Sequence, residues 1–80
     1  MNDYKITLYT DDSVTDRKVN QWIVAWNDSA GGRWENLQQE TNTRWTLTLE
    51  ANRIEPEIKG VIDHTISLDD GLADWAYSEV

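Results

Sequence analysis

His64 is the only histidine of the chain, and it stands beside Asp63 with Ser67 three residues on. A nucleophile triad needs its members to converge in space, and neighbours on a strand point to opposite faces. No nucleophile elbow or glycine-rich oxyanion loop accompanies the three residues, so His64 reads as an ordinary, partly exposed side chain. A two-carboxylate hydrolase needs acids flanking a cleft, and 80 residues leave little material for one. A calcium loop starting at Asp11 would place Asp16 where the sharp turn needs glycine, and Trp22 where a bidentate glutamate belongs. Asp69-Asp70-Gly71 fails on spacing, and Gly31-Gly32 lacks the Lys-Ser/Thr of a phosphate loop. The expectation is a protein that is not an enzyme and holds no metal or cofactor.

Trp34 and Tyr9 are the aromatic residues that could stack bases in a single-strand binder. That mode also requires a basic groove, and Arg17, Lys18, Arg33, Arg44 and Arg53 are offset by acids around them. Direct binding to nucleic acid is therefore not expected. The formal charge is −8, and it is concentrated: residues 54–80 carry seven acids against Lys59 alone. Such a balance repels nucleic acid and anionic membranes and attracts basic surfaces. Solubility alone explains a modest negative charge, and Asp69 and Asp70 could serve as first-turn caps of a helix. The capping reason does not cover Asp74, Glu55 or Glu57, for which a solvated face is the alternative to a basic partner protein. Glu55, Glu57, Asp63, Asp69, Asp70 and Asp74 are accordingly the candidate partner-binding acids. Tyr77 is the aromatic anchor on the same face.

These residues need elements to hold them. Trp45, Leu47 and Leu49 alternate with Thr46, Thr48 and Glu50, the period of a strand with one dry and one wet face. Tyr4, Ile6 and Leu8 alternate in the same way. Ser13 followed by Asp16 reads as a helix start, and Val19, Trp22, Ile23 and Trp26 form one helical stripe ending at Gly31 or Gly32. A strand through Trp22, Val24 and Trp26 competes with that helix, which the stripe favours. Arg33–Gln38 reads as an edge-like strand. Pro56 fits the first turn of a short helix with Ile58, Val61, Ile62 and Ile66 on one face, although Gly60 weakens it and Val61–Leu68 could instead be a last strand. Ser67 and Asp70 predict the start of a final helix reaching Ser78. On it Leu68, Leu72, Trp75 and Ala76 share one face, and Asp70, Asp74 and Tyr77 the other.

The expected architecture is α+β: a small antiparallel sheet with helices packed on one face, in a single domain over 1–80. Its core joins Tyr4, Ile6, Leu8, Trp22, Ile23, Trp26, Trp45, Leu47, Leu49, Ile58, Ile62, Ile66, Leu72 and Trp75. A chain of this size removes only about 60% of its unfolded surface from water. Five tryptophans and no phenylalanine mean that large rings with an N–H to satisfy must supply much of the interior. A homodimer could complete such a core. The absence of cysteine fits a reducing cytosol. Met1-Asn2-Asp3-Tyr4 does not open a signal peptide, and no run approaches the roughly 18 apolar residues of a membrane span. The expected location is the cytoplasm.

In size and charge, with the acidic run Glu55, Glu57, Asp63, Asp69, Asp70, Asp74 and the tail Leu72-Ala73-Asp74-Trp75, the chain resembles the small anti-CRISPR inhibitors of phages and mobile elements. The resemblance implies an inhibitor that sits on a basic DNA- or RNA-binding surface of a Cascade-type or Cas nuclease complex and imitates phosphates. The alternative is a phage structural or assembly protein that oligomerises through a Trp-rich face.

Overall fold

The computed structural model describes residues 2–80, which run β1 (Asn2–Thr10), α1 (Asp16–Ala30), β2 (Arg33–Thr41), β3 (Arg44–Ala51), α2 (Glu57–Leu68) and β4 (Leu72–Glu79). The alternation of Tyr4, Ile6 and Leu8 meets that of Leu49, Leu47 and Trp45 across the central β1–β3 ladder, residue opposite residue. That register puts Tyr4, Ile6, Leu8, Trp45, Leu47 and Leu49 on one face, and a slip of one residue would turn one strand's set to water. β2 and β4 flank the pair, giving the order β2-β3-β1-β4 with all neighbours antiparallel. Both helices cover the apolar face, and Lys5, Thr7, Tyr9, Arg44, Thr46 and Thr48 occupy the other. This is the expected α+β class, in the split-βαβ arrangement called ferredoxin-like.

α1 settles the competition between helix and strand. Val19, Trp22 and Trp26 are buried on its inner stripe, whereas Val24 is 61% exposed, the position a helix assigns it. The helix begins later than the Ser13 signal predicts. Thr15 is the cap, its side chain accepting the Lys18 N–H, while the Ser13 N–H donates to Asp11 Oδ1 in the preceding turn at 2.8 Å. At the far end Gly31 and Gly32 take φ of +75° and +88°. A Cβ on Gly32 would meet Leu49 Cδ1 at 2.8 Å, so this turn needs glycine for both conformation and space.

α2 forms across Gly60, and the alternative strand over Val61–Leu68 does not. Pro56 is its cap residue rather than part of its first turn. Ile58 and Ile62 are buried, with Val61 and Ile66 packed beside them.

The final segment corrects the sequence reading. Residues 72–79 are a strand, not a helix running from Ser67 to Ser78. Ser67 lies in the last turn of α2, and its hydroxyl donates to the His64 carbonyl. Asp69 caps the C-terminus of α2 and accepts the Gly71 N–H in the turn that follows. The physical reason is tertiary. β1 has a second edge to satisfy, and pairing along it from Tyr4 to Thr10 outweighs the i,i+4 pattern of Leu68, Leu72 and Ala76. The core gains Val19, Ala51 and Ile54, which the expected list omitted, while Ile23, Ile66 and Trp75 are only partly buried.

Candidate partner-binding surface

Each tryptophan N–H has a partner. Trp26 donates to Thr65 Oγ1 (2.8 Å), Trp34 to the Gly31 carbonyl (3.1 Å) and Trp45 to Thr10 Oγ1 (3.1 Å). The other two donate to members of the acidic set, Trp22 to Asp69 Oδ2 (3.2 Å) and Trp75 to Asp63 Oδ1 (2.9 Å). Asp69 also accepts from Gly71 N (2.9 Å) and pairs with Lys18 Nζ at 3.0 Å. The Gly71 N–H first, then Lys18 and Trp22, hold its carboxyl below the usual aspartate range. Asp63 is held low in the same way by Lys59, 2.6 Å away, and by the Trp75 indole. These two acids therefore serve the fold: they fix large rings that would otherwise bring an unpaired donor into the interior.

The remaining acids lie at the two ends of α2 and on the edge strand β4. α2 returns into β4 through the turn at 69–71, so helix and strand run in opposite directions. Glu55 and Glu57 thus stand over the end of β4 that carries Glu79, and Asp70 over the end that carries Asp74. Glu57 lies 3.5 Å from Arg53, an exposed i,i+4 pair worth little. Glu55, Asp70, Asp74 and Glu79 enter no ion pair among the described residues. Lys59, the one base of this region, is held above the usual lysine range by Asp63 first and, more weakly, by Glu55 and the Tyr77 phenol. That coupling places Glu55, Lys59, Asp63 and Tyr77 in one neighbourhood.

One expected grouping fails. Asp70, Asp74 and Tyr77 do not share a face, because on a strand residues 74 and 77 point to opposite sides. Asp74 pairs with Tyr9 in register and lies on the open face, whereas Tyr77 pairs with Ile6 on the helix-covered side. There Tyr77 stacks on Trp75 at 5.5 Å and meets Tyr4 edge-on at 6.1 Å, yet it keeps 45% of its surface exposed. The sequence reading assigned Trp75 to the core and counted Glu79 only among the seven acids of residues 54–80. The alternation of Trp75 and Tyr77 with Ala76 and Ser78 was the available signal for a strand.

His64 is exposed on α2, and neither Asp63 nor Ser67 directs its side chain to the ring, since Asp63 binds Lys59 and Trp75. Among the described residues no three potential metal ligands are brought together. Trp34 packs on Trp26 at 5.5 Å beneath the helices, and Tyr9 is on the open face, so the two rings form no common stacking platform. A concavity of about 680 Å³ between the start of α1 and β2 is lined by Val14, Thr15, Asp16, Asn20, Leu37, Gln39 and Trp45. It carries a single acid and no base. No helix among the described residues is long and apolar enough to cross a membrane.

The fold defines a class shared by many unrelated functions, so it assigns none. No protein-family model matches the chain, and no curated protein matches its sequence.

Proposed function

We propose that the protein is a non-enzymatic inhibitor that binds a basic, nucleic-acid-binding surface of a bacterial defence complex, of the Cascade or Cas nuclease kind, and competes there with DNA or RNA. The observation that carries this reading is the set of acids that enter no ion pair among the described residues: Glu55 before α2, Asp70 in the turn after it, and Asp74 and Glu79 on the edge strand β4. Asp63 and Asp69 are occupied by tryptophan N–H groups, so the binding surface narrows to the acids that hold no indole and enter no ion pair among the described residues. Each exposed pair with a partner's Lys or Arg contributes at most about 1 kcal/mol, but several act together through their common field, on association rate as well as affinity.

The test is displacement of labelled DNA from a purified Cascade complex. Asp70→Lys combined with Asp74→Lys is expected to abolish displacement while thermal unfolding stays unchanged. The control reverses Asp12 and Asp28, exposed acids of the charge-balanced half; Asp11 is unsuitable because it holds the Ser13 turn. Equal loss in both double variants would reduce the acidic side to a solubilising surface.

A further inference from the structure

We infer that the free edge of β4 accepts an extended, basic segment of a partner protein as a fifth strand of the sheet. The inference rests on the basic-partner reading above and supplies the way such a partner is held. An antiparallel ladder bonds alternate residues. The Val80 N–H donates to the Asp3 carbonyl at 2.8 Å, so with the register Ser78–Lys5, Ala76–Thr7 and Asp74–Tyr9 the even-numbered residues face β1. The backbone groups of Trp75, Tyr77 and Glu79 therefore point away from the sheet. The Trp75 N–H agrees with this assignment: it is taken by Asp74 Oδ1 at 2.8 Å, not by β1.

Natural sheets blunt their edges with bulges, prolines or charges. β2, the other edge, is interrupted where its register shifts between Glu35 and Gln38 and Asn36 adopts φ of +60°. β4 has its one register shift at its start, between Leu72 and Asp74, and from Asp74 to Glu79 its register is unbroken and without proline. Its one cover is the Asp74 carboxylate on the Trp75 N–H, and that cover is exchangeable. An incoming strand that bonds to Trp75 releases the carboxylate to a lysine or arginine of the segment.

Charge decides the occupant. A second copy would set one −6 region against another, with Asp74 and Glu79 present on both sides, within the roughly 8 Å over which physiological salt fails to screen them. A basic segment meets the opposite situation. Its side chains on the open face fall beside Asp74. Those on the helix side fall over the Trp75–Tyr77 stack, a surface suited to cations, with Glu55 and Asp63 of the α2 region behind it. Backbone pairing supplies affinity and alternate side chains supply selectivity, the division of labour in strand addition.

The test uses the full chain and a capped peptide of about eight residues alternating lysine and valine, beside two versions N-methylated on one or the other alternate set of amides. Amide spectra should show shifts centred on Trp75, Tyr77 and Glu79 with the unmodified peptide. One methylated version should bind at least about tenfold more weakly, since it lacks the donors that face β4. Equal binding of all three would overturn strand addition while leaving a charge-only basic partner standing. Binding by none of them would also overturn it, and the displacement assay above would then decide the partner reading by itself. Sedimentation showing a dimer that excludes the peptide would make the occupant a second copy and overturn the inference.

Discussion

Replacing Asp69 by alanine separates the acids that build the fold from those that face outward. The carboxylate accepts from Gly71 N at 2.9 Å and from Trp22 Nε1 at 3.2 Å, and it pairs with Lys18 at 3.0 Å. Hydrogen bonds to a charged group contribute about 1.5–3 kcal/mol each, and a half-exposed ion pair adds up to about 1 kcal/mol. The three share one carboxylate, and the Gly71 N–H can turn to water once it is gone, so the contributions do not add. The Trp22 indole is the group left stranded, on a ring only 6% exposed. A net loss of about 2–3 kcal/mol follows, equivalent to roughly 10–20 °C in melting temperature for a domain of this size. Urea unfolding followed by tryptophan fluorescence measures it directly. Asp69→Asn, which keeps an acceptor for Gly71 but loses the charge, should fall about midway.

The pH dependence supplies an internal check. The folded-state carboxyl titrates below its ordinary value near 4, so its stabilisation is present above about pH 4 and is lost as pH falls through the folded value. The gap between wild type and Asp69→Ala should narrow accordingly in acid. A loss below about 0.5 kcal/mol at neutral pH, or lost displacement activity at unchanged stability, would refute the structural role and return Asp69 to the binding surface.

Trp45→Ala should cost about 3–5 kcal/mol, because the ring is 2% exposed and its N–H bonds to Thr10 just past the Tyr9–Arg44 end of the β1–β3 ladder; a urea midpoint within about 1 kcal/mol of wild type would contradict that placement. Gly32→Ala should destabilise by more than about 1 kcal/mol, since it needs a positive φ and drives a methyl into Leu49, whereas an unchanged melting temperature would mean that the turn rearranges freely.

Periodicity made β1, β3 and α1 legible and concealed β4, the edge strand of the proposed partner surface. β1 and β3 could be read because burial on one face forces strict alternation, and α1 because its stripe of Val19, Trp22, Ile23 and Trp26 has no equally complete rival. β4 could not be read locally. Asp69, Asp70 and Gly71 look like the opening of a helix, and Leu72, Trp75 and Ala76 continue a helical face. What decides against it lies some seventy residues away, in the unpaired edge of β1, and no window of sequence contains that requirement. The same distance explains the divided acidic set. Nothing in the spacing of Asp63 and Asp69 distinguishes them from Asp70 and Asp74. The distinction comes from Trp75 and Trp22, whose N–H groups reach the first two across elements, 12 and 47 residues apart in sequence. Composition nevertheless stated the need: five indoles and no phenylalanine require five acceptors. Hydroxyl and carbonyl oxygens meet three of those needs, and Asp63 and Asp69, two of the 15 acids, meet the others.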